Sequence, residues 1–224
     1  MKVFVTSTGT DVGKTYVTLL IYQALSKVGY NVGIYKPFQT EEQEPGVYPD
    51  LEEYKKVSGL TYDETSLYTF HEPVSPHLGF KLEPEQQLNK ESVIEKAEAL
   101  NQKYDILLIE GAGGLGVPIY EDDNGFYMTE DLIKDTADKV LSVVPSKLGA
   151  ISDIIMHQYY LSQHHLPGNI LVMNRFDDSM IAQDNHETLE RYLNRSIYTL
   201  TEGANVSEVP DELLHSLIRG GINE

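Results

Sequence analysis

The stretch that decides the fold is VFVTSTGTDVGKT, at residues 3–15. Its first residues are apolar and β-branched and predict a strand. A glycine-containing turn follows, and Gly-Lys-Thr then leads into an amphipathic helix. This order of strand, turn and helix is the layout of a phosphate-binding P-loop, in which backbone N–H groups and the helix dipole favour an anion at one point. The sequence therefore predicts a nucleotide-phosphate site.

Two side chains at the end of this stretch have the chemistry that a nucleotide phosphate needs. Lys14 would reach the terminal phosphates, and the Thr15 hydroxyl would bind Mg²⁺, which prefers hard oxygen ligands. The loop is a variant, because Thr8 stands where the first glycine is usual and Gly9 comes one position later. The competing interpretation is a chance Gly-Lys-Thr in an ordinary turn between a strand and a helix. The correct order of the three elements argues against it.

Composition bounds the class of protein. With 224 residues, of which 41% are hydrophobic, the chain can form one α/β domain over residues 1–224. We expect a cytoplasmic protein, because no apolar run approaches the roughly 20 residues of a membrane span and no signal peptide pattern is present. The absence of cysteine excludes disulfides and thiol nucleophiles. A formal net charge of −18 argues against nucleic-acid and membrane partners, although a local cluster of donors can still bind a nucleotide.

Strand and helix patterns alternate along the rest of the chain. A short strand at 31–35 follows the first helix, which predicts a βαβ unit and a parallel sheet. We expect this strand to end at Lys36, because Pro37 lacks the N–H group that would extend it. Ligands of parallel sheets bind at the carboxyl ends of strands, so Lys36 is a candidate site residue, with a solvated lysine as the alternative. Further strands are predicted at 68–70, 104–109, 138–144, 169–173 and 196–200, and helices at 84–101, 151–159, 186–193 and 211–219. The expected fold is α/β with three layers, a mostly parallel central sheet flanked by helices.

Two carboxylates are candidate metal ligands. Glu110 ends an apolar strand, which is the Walker B arrangement that serves Mg²⁺ in P-loop proteins, with a solvated acid as the alternative. Asp50 opens a helical pattern, and its ordinary interpretation is an N-cap. His71 and His77 lie six residues apart in a loop, and we interpret them as neither metal ligands nor bases.

A glycine-rich segment at 111–116 matches G-x-G-x-x-G after a strand. A dinucleotide-binding fingerprint would continue into a helix, but Val117-Pro118-Ile119 is typical of extended chain. We therefore interpret these glycines as positions where the backbone approaches a ligand closely.

Short motifs with a specific order and spacing run along the chain. They are Thr-Gly-Thr-Asp-Val-Gly-Lys-Thr at 8–15, Tyr-Lys-Pro at 35–37, Pro-Val-Ser-Pro-His at 73–77, Glu-Gly-Ala-Gly-Gly at 110–114, Lys-Leu-Gly at 147–149 and Asn174. Together they resemble the dethiobiotin synthetases, ATP-dependent ligases of biotin biosynthesis, over nearly the whole length. The resemblance implies a homodimer with a P-loop fold. It also implies a reaction in which diaminopelargonic acid, CO₂ and MgATP give dethiobiotin, ADP and phosphate.

The resemblance further implies a role for each matched residue. The nucleotide would be bound by Gly9, Thr10, Asp11, Val12, Gly13, Lys14, Thr15 and Asn174, the last of which reads the adenine. Mg²⁺ would be bound by Thr15, Asp50 and Glu110. The carbamate end of the substrate would contact Thr10, Lys36, Thr40, Gly113 and Gly114, and its tail carboxylate would contact Gly149, Ala150 and Ser152 at the dimer interface. Lys36, Lys14 and Thr10 would be the catalytic residues.

The chain also departs from the family pattern. Ser152 stands where asparagine is common, and the Ile-Pro-aromatic segment that helps to enclose the base is missing near 198–203. Use of GTP or CTP therefore stays open. One alternative class is the nucleotide-switch ATPases of the partitioning or septum-site type, but these have a lysine near the start of the P-loop, and residues 6–12 contain none. Another is a related ligase with a different substrate.

Overall fold

A computed structural model describes residues 1–123 and 125–219. Its centre is a seven-stranded sheet in the order β3-β2-β4-β1-β7-β8-β9. All neighbouring strands of this sheet pair in parallel. The strands are β1 (Lys2–Ser7), β2 (Val32–Gln39), β3 (Ser66–Thr69), β4 (Ile106–Glu110), β7 (Lys139–Pro145), β8 (Asn169–Phe176) and β9 (Tyr198–Thr201). A separate antiparallel hairpin consists of β5 (Pro118–Asp122) and β6 (Gly125–Met128).

Helices cover both faces of the sheet. They are α1 (Lys14–Lys27), α2 (Pro49–Ser58), α3 (Tyr62–Thr65), α4 (Pro76–Leu82), α5 (Lys90–Lys103), α6 (Thr129–Thr136), α7 (Ala150–Gln163), α8 (Met180–Leu193) and α9 (Asp211–Ile218). Alternate residues of a strand point to opposite faces, so Val3 and Val5 of β1 belong to the core shared with α1 and α9. Phe4 belongs to the core shared with α4, α5 and α6. This confirms the predicted three-layer α/β fold. No helix within the described residues is long and apolar enough to cross a membrane.

The predicted end of β2 at Lys36 is wrong, because the strand continues through Pro37 to Gln39. Residues 32–35 pair with β4, whereas Lys36, Phe38 and Gln39 pair with β3. Pro37 lies where β2 changes from one neighbour to the other and is in neither register, so its missing N–H group leaves no ladder bond unmade. Lys36 therefore lies inside a strand, beside the end of β4.

Other differences concern where helices begin. Tyr48, not Asp50, is the N-cap of α2, and Asp50 is the second helical residue. The helix predicted at 84–101 begins at Lys90, where Asn89 caps it by accepting a hydrogen bond from the Ser92 backbone N–H at 2.9 Å. Sequence patterns also failed to predict α6 and the β5–β6 hairpin, because both elements are short and mix apolar with charged residues.

Candidate active site

The P-loop connects the end of β1 to the start of α1. Gly13 is the N-cap of α1 and has a φ of 94°, in the left-handed region that favours glycine. A Cβ atom at this position would lie 2.3 Å from Nδ2 of Asn174. Glycine is therefore required here for its backbone conformation and also for the space it leaves.

The glycine-rich segment after β4 packs directly on the P-loop. The Leu115 backbone N–H donates to the Ser7 carbonyl at 3.1 Å, and a Cβ atom on Gly114 would lie 3.1 Å from Cα of Gly9. The glycines thus allow close approach between two backbone segments, and the neighbour they approach is the P-loop itself. Gly113 has a φ of 75° and, like Gly114, lines the cleft described below.

Lys14 is buried beneath the P-loop. Its Nζ lies 3.2 Å from Ser7 Oγ and 3.3 Å from the Gly9 carbonyl oxygen. Burial lowers the pKa of Lys14, while the Glu110 carboxylate acts in the opposite direction. The ammonium group is therefore held at the centre of the loop by weak contacts that a phosphate oxygen could replace.

Glu110 is fully buried at the end of β4 and accepts four hydrogen bonds. Its Oε1 accepts from Thr15 Oγ1 at 2.8 Å and from Lys36 Nζ at 2.9 Å. Its Oε2 accepts from Thr18 Oγ1 at 2.8 Å and from the Tyr54 hydroxyl at 2.6 Å. Both carboxylate oxygens thus have polar partners, which explains how a charged group can lie so deep in the protein.

Lys36 joins the two candidate metal ligands. Its Nζ forms ion pairs with Asp50 and with Glu110. Burial would lower the pKa of Lys36, but the two carboxylates raise it above its ordinary value. For Asp50 the opposite holds, since burial would raise its pKa and the Lys36 ammonium lowers it overall. Both partners of this pair are therefore charged at neutral pH.

The oxygen donors at this point fit Mg²⁺. Thr15 Oγ1 lies 2.9 Å from Asp50 Oδ1 and 2.8 Å from Glu110 Oε1, so the three predicted ligands converge. Mg²⁺ commonly uses one or two carboxylates and takes its remaining ligands from phosphate and water. The part of the chain that the structure describes contains no group of three or more His, Cys, Asp or Glu arranged to hold a metal. His71 pairs with Glu42, and His77 contacts the Ser75 hydroxyl at 2.9 Å. The placement of His77 in a loop is wrong, because it is the second residue of α4.

Asn174 lies on the other side of the P-loop, in β8. Its Nδ2 donates to the Val12 carbonyl at 2.9 Å, which fixes the orientation of the amide. Its Oδ1 is buried and has no hydrogen-bond partner among the described residues. Arg175 follows with a φ of 54° and donates to the Asp11 carbonyl at 3.1 Å. No sequence pattern pointed to Arg175.

A cleft of ≈ 1010 Å³ connects these groups. Of the predicted site residues, its lining includes Gly9, Thr10, Asp11, Gly13, Lys14, Thr15, Lys36, Thr40, Asp50, Glu110, Gly113 and Gly114. Val12 and Asn174 lie behind the loop. Gly149, Ala150 and Ser152 are at the start of α7 and do not line this cleft; Gly149 and Ser152 are exposed. Sequence reasoning missed Tyr54 and Thr18, whose only signal is their helical spacing from Asp50 and Thr15.

This fold and this loop, with a carboxylate at the end of the neighbouring strand, define a P-loop nucleotide-binding protein. A family model described as an AAA domain matches residues 1–201. The ATP-dependent dethiobiotin synthetase BioD of Staphylococcus epidermidis is 54% identical over 220 residues, which are 98% of this chain and 99% of the relative. The enzyme of the same name from a Geobacillus species is 38% identical over 92% of this chain and 87% of its own. The chain belongs to the ATP-dependent dethiobiotin synthetase family.

Solved structures with the same fold include the MinC:MinD cell division complex of Aquifex aeolicus, with a TM-score of 0.56 and 17% identity over 98% of this chain and 85% of that one. A plasmid partition protein from Borrelia burgdorferi matches with a TM-score of 0.59 and 14% identity over 96% of both chains. These likenesses show the fold alone. The septum-site and partitioning proteins therefore share the architecture of this chain. Its high sequence identity, by contrast, is to the dethiobiotin synthetases.

Proposed function

We propose that the cleft converts 7,8-diaminononanoate (diaminopelargonic acid), CO₂ and ATP into dethiobiotin, ADP and phosphate in biotin biosynthesis. The observation that carries this assignment is the convergence of Lys14, Lys36 and three hard oxygen donors on one cleft at the carboxyl ends of the strands. A ligase that couples phosphoryl transfer to ring closure needs this combination of cations beside a metal site.

The proposed reaction has three steps. One substrate amine forms an N–C bond to CO₂ and loses a proton, giving a carbamate. The carbamate oxygen then bonds to the γ-phosphorus of ATP, and the bond to the bridging oxygen breaks to release ADP. The second amine attacks the carbamate carbon and loses its proton, and the C–O bond to phosphate breaks. The five-membered ureido ring closes as phosphate leaves.

The central physical difficulty is to bring a carbamate and a γ-phosphate together, since both are negatively charged. Phosphoryl transfer depends on positioning and on charge stabilisation more than on covalent catalysis. In our proposal Lys36 contacts the carbamate and Lys14 the transferred phosphoryl group, while Thr10 and Thr40 orient the carbamate end. Both lysines line the same cleft, so their charges offset the repulsion where it arises.

Thr15, Asp50 and Glu110 would hold Mg²⁺. When bound, the ion would supply further positive charge to the phosphate oxygens. The support for this assignment is the donor chemistry, a hydroxyl with two carboxylates that each lie within hydrogen-bond distance of it.

Asn174 supports adenine as the preferred base. Its Nδ2 donates to the Val12 carbonyl oxygen, so the amide is fixed with Oδ1 unpartnered. A buried Oδ1 needs a hydrogen-bond donor, which the bound base would supply. The exocyclic amino group of adenine is such a donor, whereas the corresponding position of guanine is a carbonyl. We therefore propose that ATP binds more tightly than GTP, and that CTP, which also has an amino group, is the stronger competitor.

The protein is proposed to act as a homodimer in which Gly149, Ala150 and Ser152 bind the tail carboxylate of the substrate in the partner's cleft. Ser152, Met156 and Tyr159 are exposed and occur at helical spacing on α7, so they share one face. This face combines exposed apolar side chains with the N-terminus of α7, whose backbone N–H groups favour an anion. Both features are consistent with an interface that also binds a carboxylate.

We place the protein in the cytoplasm as a single domain over residues 1–224, without nucleic-acid or membrane partners. The support is the net charge of −18 and a central sheet whose strands span residues 2–201. Such a charge opposes binding to polyanions.

The experiment that tests the function measures phosphate release from MgATP with bicarbonate, with and without 7,8-diaminononanoate. We expect release only with the diamine, and dethiobiotin in the product by mass spectrometry. Slow release that is indifferent to the diamine would contradict the proposal. Repeating the assay with GTP and CTP measures the nucleotide preference that we attribute to Asn174.

A further inference from the structure

Tyr54 is a fully buried residue of α2 whose hydroxyl reaches the end of β4. It donates to Glu110 Oε2 at 2.6 Å. Its ring packs in a cluster with Leu19, Ile34 and Leu51, which leaves the side chain no freedom to turn away. The packing of the ring therefore fixes the position of the Tyr54 hydroxyl relative to α2.

The two oxygens of Glu110 have different surroundings. Oε1 meets Thr15 and Lys36, both of which line the cleft. Oε2 meets Tyr54 and Thr18, neither of which lines it. The hydroxyl of Tyr54 therefore holds the rear oxygen and turns the front oxygen towards the cleft.

Tyr54 also connects the two carboxylates through one helix. Asp50 and Tyr54 are four residues apart in α2 and so lie on the same face of the helix. Asp50 Oδ1 lies 2.9 Å from Thr15 Oγ1, and Thr15 in turn contacts Glu110. The bond from Tyr54 to Glu110 thus fixes α2 against β4 on the side away from the cleft and sets the spacing between Asp50 and Glu110.

We propose that Tyr54 is a positioning residue for the divalent-cation site, one that orients Glu110 and, through α2, holds Asp50 opposite to it. The inference rests on the proposed function, which assigns both carboxylates to Mg²⁺. Residues that hydrogen-bond a metal ligand from behind keep the ligand in its binding orientation, and their loss weakens metal affinity by about 10- to 100-fold.

The test is metal binding by Tyr54→Phe, which keeps the ring and removes only the hydroxyl. Mn²⁺ replaces Mg²⁺ as the probe, and electron paramagnetic resonance counts free Mn²⁺ in the presence of a non-hydrolysable ATP analogue. We expect the Mn²⁺ dissociation constant to rise at least about 10-fold. The matched control is Tyr62→Phe, because Tyr62 packs against the same cluster but bonds to Glu52, which does not line the cleft. It should bind Mn²⁺ like the unmodified protein.

Turnover gives a second readout. If Tyr54 acts through the cation site, Tyr54→Phe has a raised KM for Mg²⁺, and saturating Mg²⁺ restores kcat. A role only in packing would lower kcat at every Mg²⁺ concentration without changing that KM, and this result would overturn the proposal. Unchanged Mn²⁺ affinity in Tyr54→Phe would overturn it as well, and would leave the proposed function standing.

Glu110→Gln tests the assignment of Glu110 as a metal ligand separately from the role of Tyr54. If this variant binds Mn²⁺ as tightly as the unmodified protein, Glu110 is not a ligand, and both the metal assignment and the role of Tyr54 fail. If Tyr54→Phe does not fold, Thr18→Val removes the other donor to the same oxygen and is judged by the same Mn²⁺ measurement. Weakened binding then supports control of Glu110 through its rear oxygen, and unchanged binding overturns it.

Discussion

At the scale of the residue, Lys36 has the largest predicted effect on chemistry. Replacing it with glutamine removes the charge that we propose faces the carbamate but keeps a hydrogen-bonding group beside Glu110. We expect turnover to fall by roughly 10²- to 10³-fold, the range found when one electrostatic stabiliser is removed. Steady-state kinetics measures this, and circular dichroism checks that Lys36→Gln is folded. Turnover within a few-fold of the unmodified enzyme would remove Lys36 from the chemical step.

Gly13 is the residue at which the P-loop is least tolerant of change. In Gly13→Ala the new Cβ would meet Nδ2 of Asn174 at 2.3 Å, and the left-handed backbone costs about 1–2 kcal/mol for a residue with a side chain. We therefore expect Tm to fall by several degrees and ATP affinity to fall with it. Gly168→Ala is the control, because a Cβ there would meet nothing within 4 Å and no positive φ is involved. Equal Tm values for the two variants would contradict this account.

The sequence was most informative about residues whose roles depend on local order. Lys14, Thr15 and Glu110 follow from a strand, a turn and a strand end, and the structure brings them together. Tyr54 and Arg175 could not be predicted, because each meets its partner only through pairing of segments distant in sequence. Lys36 was selected for a reason that proved wrong, the expected end of β2 at Pro37, although it does lie beside Glu110.

At the scale of the element, α7 is held to the sheet by a buried polar network. His157 Nε2 lies 2.9 Å from Ser142 Oγ, and that hydroxyl donates to Asn169 Oδ1 at 2.7 Å. Since the hydroxyl has only one proton, the imidazole must donate from Nε2. Burial lowers the pKa of His157 from 6.5 to about 4, so the imidazole is neutral at pH 7 in the folded protein.

This network makes stability depend on pH. Between pH 6.5 and about 4 the unfolded chain binds a proton at His157 that the folded chain does not bind. With respect to this group, the free energy of unfolding has its full value above pH 6.5. It decreases as the pH falls, by roughly 3 kcal/mol in total once the pH reaches about 4. We expect His157→Gln to lose much less stability between pH 7.5 and pH 4.5. Urea unfolding of both proteins at the two pH values tests this, and equal losses would contradict it.

Elements were predicted best where they lie in the sheet, because buried parallel strands are continuous apolar runs. The ends of helices were predicted less well. The start of α5 is set by Asn89, and that of α2 by a turn before Pro49, and neither is visible in the apolar periodicity. The position of Asp50 relative to Glu110 depends on where α2 begins, so the residues of the proposed cation site could be named from the sequence but their geometry could not be derived from it.

At the scale of the whole molecule, the proposed dimer depends on the exposed face of α7. Met156 is 61% exposed at the centre of this face. We expect Met156→Asp to shift the protein from dimer to monomer, because a charge there would be buried by the partner. The substrate KM should rise while ATP binding stays the same, since only the tail carboxylate site would be lost. Sedimentation velocity measures the oligomeric state.

The control for this prediction is Tyr192→Asp on α8, which places the same charge at another exposed position. It should leave the association state unchanged. A monomeric unmodified protein with full activity would rule out the dimer and, with it, the assignment of Ser152.

The strand order places the candidate residues on opposite sides of the P-loop strand. β1 lies at the centre, with Lys36 and Glu110 on strands to one side of it and Asn174 on a strand to the other. Under the proposed roles, substitutions around Asn174 on β8 would change the preference for one triphosphate over another, whereas substitutions on β2 and β4 would change bond formation. The segment near 198–203, where the Ile-Pro-aromatic pattern is missing, lies on the same side of β1 as Asn174.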